Sequence, residues 1–363
     1  MNYKKDKIRL REIKTKHGNI QTPFFMPDAT RGFVKSISNN LLQKIGVEVL
    51  VINTFHLMLH IQNKDLSSLR KLINWQKPLL SDSGGFQIFS LIHKNPNLGS
   101  ISDKGVVFKS PLNGLLHELT PEKSIQIQFD LGVDMMVVLD DCPPNEYDKK
   151  ELSKSVERTI AWASRSKVEY EKQIKKRNLK NIEKPLLFSV IQGGTDLELR
   201  KKCAYELTKI GFDGYGFGAR PVDQDGNFLA DVLRLTANLI PKDSLRFALG
   251  IGTPDDIVKC IQMGWDMFDC VIPTREGRHG RMFSFLNNDF DFENFFYNTI
   301  NITNAKFKYD FDIINPTSNI TELKEHSKAY LNYLFKIKEP LGAQLASLNN
   351  LEFYIRLLKN IKN

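Results

Sequence analysis

Three aspartates, Asp82, Asp140 and Asp269, each stand where a short apolar run of the sequence stops. A carboxylate at the end of an apolar strand costs desolvation free energy, so its burial requires a partner, a metal or a function. Asp82 alone could cap the turn at Ser83. Convergence of all three is hard to explain by packing. Together they indicate a functional site of ionisable groups.

The elements that would position these aspartates follow from the pattern around them. Apolar runs predict eight β-strands, at residues 22–27, 47–53, 78–82, 134–140, 185–192, 214–218, 246–250 and 267–272. Amphipathic stretches predict helices at 121–131, 150–175, 197–210, 228–239 and 253–263. This alternation is typical of an α/β fold, and eight strands predict a TIM (β/α)8 barrel, whose strand C-terminal ends share one mouth.

Three segments lie outside the repeating pattern. Asn113-Gly114 predicts a β-hairpin inserted at about 105–119, after the third strand. Residues 8–22 suggest a second hairpin over the bottom of the barrel. Residues 285–310 lack a clean period, whereas residues 322–359 are strongly helical. We therefore divide the chain into a catalytic TIM-barrel domain, residues 1–284, and a C-terminal α-rich subdomain, residues 285–363.

Composition narrows the class of protein. The 363 residues are 41% hydrophobic, which is enough for a sizeable core and argues against disorder. The net charge of +9 is compatible with a polyanionic partner. Neither a long apolar run nor a signal peptide is evident, so we expect a cytoplasmic protein without a membrane partner. The four scattered cysteines favour reduced thiols.

Four motifs resemble those of a known family. NTFHL at 53–57, SDSGGFQ at 81–87, GFDGY at 211–215 and FDCVIPTR at 268–275 resemble, in order and spacing, the signatures of the tRNA-guanine transglycosylases. The resemblance covers nearly the whole chain, and the motifs at 81–87 and 268–275 are quite specific. It implies a bacterial-type pentosyltransferase that exchanges guanine at the wobble position of a tRNA anticodon for a 7-deazaguanine base in queuosine modification.

The resemblance assigns the reacting groups. Asp269 would be the nucleophile that attacks C1′ of the ribose and forms a covalent Asp-ribosyl intermediate. Asp82 would be the general acid and base, which protonates the departing guanine and deprotonates the incoming base.

A base pocket is implied beside these two groups. Asp140 would accept hydrogen bonds from N1–H and the 2-amino group of a guanine-type base. Gln192 and the backbone amides of Gly218 and Ala219 would serve its O6 atom. Phe86 and Leu249 would cover its two faces.

The partner implied by the resemblance is the tRNA anticodon loop. Arg275, Arg278 and His279 follow the nucleophile closely, where cations would hold the loop through its phosphates. For His279 a solvated loop position is an equally good interpretation. The family also implies a homodimer.

The sequence departs from the family at a metal site. Most members bind a structural zinc through three cysteines and a histidine in the C-terminal subdomain. Here the ligand positions are occupied by Ser318, Ile320, Leu323 and Asn349, which cannot form a thiolate and imidazole site. We expect no cofactor and no metal, with apolar contacts of Ile320 and Leu323 taking the place of zinc.

A second departure concerns the incoming base. Residues 218–222, GARPV, replace a glycine-rich loop that usually accommodates the aminomethyl group of the substrate. Resemblance to bacterial members favours the small base preQ1 over queuine.

Three rival interpretations make different predictions. A noncatalytic tRNA-binding subunit would lack the nucleophile or the general acid, and both Asp269 and Asp82 are present. A TIM-barrel glycoside hydrolase would have a saccharide groove rich in tryptophan, but the chain has three tryptophans, none at a predicted strand end. An archaeal-type enzyme acting on the tRNA D-arm would carry an appended RNA-binding domain, and we expect none, because the sequence ends at Asn363.

Overall fold

The computed structural model describes residues 8–61, 66–144, 147–286 and 296–363. The β-strands are β1 Glu12–Thr15, β2 Gly18–Gln21, β3 Phe24–Pro27, β4 Leu50–Asn53, β5 Leu79–Asp82, β6 Gly99–Ser102, β7 Gly105–Lys109, β8 Leu116–Leu119, β9 Met135–Val137, β10 Leu186–Ile191, β11 Gly214–Phe217, β12 Leu245–Ala248, β13 Met267–Cys270, β14 Arg281–Phe285 and β15 Tyr297–Asn301.

The α-helices are α1 Asn39–Lys44, α2 Thr54–His60, α3 Leu69–Ile73, α4 Gly85–Lys94, α5 Pro121–Asp130, α6 Lys149–Arg177, α7 Leu197–Ile210, α8 Ala230–Leu239, α9 Pro254–Gln262, α10 Ile272–Arg278, α11 Thr321–Glu325, α12 Lys328–Lys336 and α13 Pro340–Lys362. Short 3-10 helices occupy Leu66–Ser68, Pro96–Leu98, Asn181–Glu183 and Ala305–Tyr309.

Eight parallel strands form the central sheet, in the order β3-β13-β12-β11-β10-β9-β5-β4. The chain just after β3 closes this sheet against β4, because Ala29 N donates to Val51 O at 2.7 Å and Asn53 N donates to Thr30 O at 3.2 Å. The TIM barrel is therefore confirmed. All eight predicted strands are present, and their ends differ from the predicted ones by three residues at most.

The five predicted helices are present as α5 to α9. Local signals explain where they begin. Thr120 Oγ1 accepts from Lys123 N at 3.2 Å and Pro121 takes the first helical position. Asp148, Asp196 and Thr253 cap α6, α7 and α9 through their side chains.

The hairpin β1–β2 lies at the N-terminal ends of the barrel strands, as the sequence predicts. Its Ile13 and Ile20 are buried in the apolar cluster that fills the barrel interior. His17 in the turn lies 2.7 Å from a carboxylate oxygen of Asp134, just before β9. The hairpin therefore closes the end of the barrel opposite the mouth.

The predicted insertion is confirmed as the antiparallel pair β7–β8, and it has one strand more than predicted. β6 pairs with β7 to make a three-stranded antiparallel sheet. Phe108 of β7 is buried, with its ring centre 5.3 Å from that of Phe55. Since Phe55 lies in the first turn of α2, which follows β4 directly, the insertion packs beside the barrel mouth.

The C-terminal region contains α11, α12 and α13, together with an unpredicted antiparallel pair, β14–β15. Residues 1–7, and residues 287–295 of the stretch predicted to be irregular, lie outside the described residues. In α13, the Tyr354 ring lies 5.0 Å from that of Phe25, and its hydroxyl donates to Gly252 O. The division of the chain at residues 284 and 285 stays a prediction.

No helix in the described ranges combines the length and apolar character needed to cross a membrane.

Candidate active site

A cavity of about 540 Å³ opens at the C-terminal ends of the barrel strands. Nine of the eleven residues predicted for the site line it, namely Asp82, Phe86, Asp140, Gln192, Gly218, Ala219, Leu249, Asp269 and Arg275. Arg278 and His279, at the end of α10, lie outside this lining. The barrel thus brings together residues from most of the length of the chain.

Asp82 is the last residue of β5, opposite Asn53 of β4 in the parallel register. Thr54 Oγ1 donates to the Asp82 carbonyl at 2.6 Å, which fixes the backbone where the strand ends. The chain then turns at Gly84, with φ of 86°, and α4 begins. A side chain at Gly84 would overlap the backbone of Phe55, so the turn holds Asp82 at the mouth only with glycine there.

Asp269, on β13, faces the same cavity. Its Oδ1 accepts from Gly250 N at 2.9 Å, which orients the carboxylate. Burial raises the pKa of Asp269 above its usual range, and the charge of Asp28 adds to this effect. Burial, with the charges of Asp269, Asp28 and Asp140, raises the pKa of Asp82 well above that range. The charge of Asp269 therefore favours the protonated form of Asp82.

Asp140 and Gln192 form a second group in the cavity. Gln192 Nε2 donates to Asp140 Oδ2 at 2.6 Å, and Gln192 is fully buried with no hydrogen-bond partner for Oε1 among the described residues. Burial raises the pKa of Asp140 to about 7, although the Gln192 hydrogen bond opposes the rise. The next residue, Asp141, faces away and forms an ion pair with Arg158 of α6. Of these two adjacent carboxylates, Asp140 therefore lines the cavity and Asp141 stabilises the surrounding fold.

The cavity walls combine backbone and apolar groups. A side chain at Gly218 would overlap the Gln192 amide, so glycine is required for Gln192 to reach Asp140. Ala219 has φ of 120°, a conformation that residues with a side chain rarely adopt. Phe86 is 58% exposed, so its ring is accessible at the mouth, whereas Leu249 is partly buried against the barrel interior.

The three predicted tRNA-binding residues lie on or just after α10. Arg275 is exposed at the cavity edge, where its Nε is 3.5 Å from Glu276. Burial lowers the pKa of Arg278, and its Nη1 is buried without a hydrogen-bond partner in the described part of the chain. His279 is exposed. The structure brings Arg275 to the carboxylates and leaves His279 on the surface.

Asp28 is a cavity residue that the sequence predictions missed. It follows β3, and its Oδ1 accepts from Thr30 N at 2.8 Å. The signal that identified the other aspartates, a carboxylate after an apolar run, applies to it as well. Cys142 also lines the cavity, and burial raises the pKa of its thiol to about 12. It is therefore a neutral wall group and not a nucleophile.

The positions assigned to the family's zinc ligands do not fit a metal ion. Ile320 and Leu323 are fully buried and have no donor atoms in their side chains. The Ser318 hydroxyl donates to Glu352, and Asn349 Nδ2 donates to Phe283 O at 3.0 Å. These side chains are used in packing and in hydrogen bonds within the fold.

Across the described ranges, moreover, no group of three or more His, Cys, Asp or Glu side chains is placed to hold a metal ion.

Known proteins are similar along almost the full chain. The family model described as queuine tRNA-ribosyltransferase matches residues 5–363. The queuine tRNA-ribosyltransferases of Halothermothrix orenii and Thermoanaerobacter pseudethanolicus are each 38% identical to it, covering 98% of this chain and 90% and 89% of their own lengths.

The queuine tRNA-ribosyltransferase of Francisella tularensis subsp. novicida is 38% identical over 362 residues, which is 99% of this chain and 92% of its own length. These matches confirm the predicted resemblance and the expectation of a pentosyltransferase enzyme. The chain belongs to the queuine tRNA-ribosyltransferase family.

Proposed function

We propose that this protein exchanges guanine at the wobble position of a tRNA anticodon for a 7-deazaguanine base, with preQ1 favoured, in queuosine modification. The observation that carries the proposal is a single cavity in which the carboxylates of Asp82 and Asp269 lie beside the hydrogen-bonded pair Asp140 and Gln192. Two reacting carboxylates and a reader of the base edge are the groups that this exchange needs.

The first half of the reaction breaks the bond between C1′ and N9 of guanine. Ionised Asp269 attacks C1′ and forms a covalent Asp-ribosyl bond, while the proton on Asp82 passes to the departing guanine. The raised pKa of Asp82, caused by burial and by neighbouring carboxylates, supports its protonated state before this step. Charge is conserved because the negative charge passes from Asp269, which becomes an uncharged ester, to Asp82, which has given its proton to the departing guanine.

The second half reverses these roles. The incoming base loses its N9 proton to Asp82, and N9 attacks C1′. The bond to Asp269 breaks, and the carboxylate is regenerated. One group thus acts as acid and then as base, which conserves protons over the full exchange.

Base recognition follows from hydrogen-bond complementarity. The ionised Asp140 carboxylate accepts from N1–H and the 2-amino group, and the Gln192 amide and the Ala219 N–H donate to O6. Phe86 stacks on one face of the base and Leu249 contacts the other. A base that lacks the 2-amino group would leave a buried carboxylate oxygen without its partner, and such a loss is costly.

The tRNA contributes phosphates, which suit the cations near the mouth. Arg275 lies at the cavity edge, and Arg220 is exposed and also lines the cavity. Cationic side chains beside the nucleophile would hold the anticodon loop while the wobble base is drawn into the pocket.

The alternative is a noncatalytic tRNA-binding subunit of a transglycosylase complex. The presence of both reacting carboxylates in one cavity favours the enzyme. Family membership likewise disfavours the glycoside hydrolase considered from the sequence.

The proposal is tested by incubating the purified protein with unmodified tRNA and radiolabelled guanine. We expect the wild type to incorporate label and Asp269→Asn to incorporate none. Asp141→Asn is a matched control, because that carboxylate pairs with Arg158 away from the cavity. Absence of incorporation by the wild type would refute the catalytic proposal, and incorporation by Asp269→Asn would refute the assigned nucleophile.

The identity of the base is tested separately by chasing guanine-labelled tRNA with unlabelled preQ1 or queuine. We expect preQ1 to release the label at the lower concentration. The opposite order would overturn the preference and leave the exchange reaction intact.

A further inference from the structure

Arg200 is a fully buried cation next to the base pocket. It lies on the buried face of α7, together with the apolar residues Leu199, Cys203, Ala204 and Leu207. Among the described residues no carboxylate forms an ion pair with it. A buried guanidinium without a carboxylate partner is costly and must be satisfied by other acceptors.

Those acceptors are three backbone carbonyls at the mouth of the barrel. Arg200 Nη1 donates to Ile191 O at 3.1 Å, Nη2 donates to Gly218 O at 2.7 Å, and Nε donates to Gly194 O at 2.7 Å. The guanidinium also lies 4.3 Å from the ring centre of Phe217. Arg200 therefore joins the ends of β10 and β11 to the loop between β10 and α7.

Two of these carbonyls belong to peptide groups that lead into the base pocket. The peptide of Ile191 carries the N–H of Gln192, and the peptide of Gly218 carries the N–H of Ala219. Gly218 N also donates to Ile191 O at 2.9 Å, so both strand ends meet at one oxygen that Arg200 contacts. A cation that donates to a carbonyl polarises the whole peptide group, which strengthens the Ala219 N–H as a donor. The Gln192 N–H donates to Cys203 Sγ at 3.3 Å, so there the contact with Arg200 acts by fixing the backbone from which the Gln192 side chain extends.

The strained backbone of Ala219, in the pocket itself, also needs support. Its φ of 120° costs free energy that the surrounding contacts must supply. The hydrogen bond from Arg200 to Gly218 O holds the peptide immediately before it. The same guanidinium fixes Gln192, whose side chain contacts Asp140.

We propose that Arg200 is a positioning residue for the base pocket, which orients Gln192 and the Gly218–Ala219 peptide through their carbonyl contacts. The inference rests on the proposed base-reading roles of those two groups. It goes beyond them because Arg200 does not line the cavity and touches no substrate.

Arg246 provides a matched control at the other end of the barrel. It is also buried, and its guanidinium donates to Gly264 O at 3.3 Å and Ile240 O at 3.2 Å. It lies on β12, away from the cavity at the mouth. Replacing either arginine leaves buried carbonyls unpaired, so both changes should lower stability. Only the Arg200 change affects peptide groups of the base pocket.

The experiment compares Arg200→Met, Arg200→Lys and Arg246→Met with the wild type in labelled-guanine exchange. KM is measured separately for guanine and for tRNA, and the midpoint of thermal unfolding is recorded. For Arg200→Met we expect the guanine KM to rise about tenfold or more, because misplaced contact groups lose most of their effect. The KM for tRNA should change less than about twofold, since phosphate contacts lie elsewhere. Arg200→Lys, which keeps the charge and one or two donors, should recover part of the guanine affinity.

Each outcome decides the matter. A guanine KM that is unchanged in folded Arg200→Met, or raised equally in Arg246→Met, would overturn the inference. If Arg200→Met does not fold, Arg200→Lys decides, because its guanine KM must then rise without an equal rise for tRNA. A wild type that exchanges no guanine would instead refute the proposed function.

Discussion

Gln192 Nε2 donates a 2.6 Å hydrogen bond to Oδ2 of Asp140, and this bond joins the two side chains proposed to read the base. The other face of Gln192 is closed by Gly218, where any side chain would overlap its amide. The amide orientation is therefore fixed before a base arrives. This arrangement leaves Asp140 Oδ1 and the second hydrogen of Gln192 Nε2 to contact a bound base.

Asp140→Asn should weaken base binding strongly. An asparagine presents one acceptor and one NH₂ group, and the NH₂ group would face a donor of the guanine edge. Hydrogen bonds to a charged group contribute about 1.5–3 kcal/mol each, so we expect the guanine KM to rise about 100-fold. Exchange kinetics at varied guanine concentration would measure this. Asp141→Asn, the control, should lose the Arg158 ion pair and some stability without a rise in the guanine KM, because removing its charge favours the ionised form of Asp140.

Base binding should depend on pH through the same residue. Burial raises the pKa of Asp140 to about 7, and only the ionised carboxylate accepts both hydrogen bonds. As the pH falls through 7 the carboxyl becomes protonated, so the guanine KM should rise about tenfold for each further pH unit. In Asp140→Asn this dependence should disappear. A KM that is constant between pH 5.5 and pH 8 in the wild type would contradict the assignment.

Asp28→Asn should shift the pH profile of exchange to lower pH. Burial is the main reason that the pKa values of Asp82 and Asp269 are raised, and the negative charge of Asp28 adds to it. Without that charge the pKa values of both groups fall. Asp269 then stays ionised down to a lower pH, and Asp82 loses its proton at a lower pH. Both limbs should therefore move down by about 0.5 pH unit. The exposed Asp312 is a control whose replacement by Asn should leave both limbs in place.

The C-terminal region should be stable without zinc and sensitive to Glu352. This glutamate is fully buried, and its two oxygens accept from the Ser318 hydroxyl and from Asn319 N. In Glu352→Gln an NH₂ group would face one of these donors, so we expect a loss of about 2–3 kcal/mol in the free energy of unfolding. Thermal and denaturant unfolding would measure it, with the exposed Glu325→Gln as control.

A chelator should leave the wild-type unfolding transition unchanged, and metal analysis should find no stoichiometric zinc. Zinc at one equivalent per chain would contradict this expectation.

The homodimer expected from the family resemblance is predicted to use exposed aromatic side chains of the C-terminal region. Phe311 is 76% exposed and Tyr333 is 56% exposed, and the segment carrying Phe311 lies along the start of α12, where Lys328 N donates to Asp312 O at 2.8 Å. Such exposed aromatic groups are typical of interfaces. Phe311→Lys and Tyr333→Lys should shift the protein from dimer to monomer in sedimentation. Tyr205→Lys, exposed on α7, should not. A wild-type monomer at micromolar concentration would refute the homodimer.

The barrel could be predicted because each strand is a short apolar run that ends at a polar residue. The limits of the strands were less predictable, since hydrogen bonding between neighbours decides them. The run at 134–140 is a strand only over Met135–Val137, although the backbones of Asp134 and Val138 still form hydrogen bonds with neighbouring strands. β6, β14 and β15 were missed because their runs are short and lack strong alternation.

The aspartates of the site could be predicted because their unusual position in the sequence is itself the signal. Arg200 was missed because it stands in a charged stretch that resembles a solvated helix. One indication was present, since Arg200, Cys203, Ala204 and Leu207 share the spacing of one helix face, and that face is buried. Glu352 gave no comparable signal, because its partner Ser318 is distant in the sequence.

The contact between Tyr354 and Gly252 has a consequence for biosynthesis. Gly252 packs tightly against Cys270, the residue after the proposed nucleophile, and the Tyr354 hydroxyl binds its carbonyl from the last helix. Asp82 and Asp269 are synthesised well before α13, which supplies this support. We therefore expect the barrel mouth to reach its full geometry only after α13 has docked.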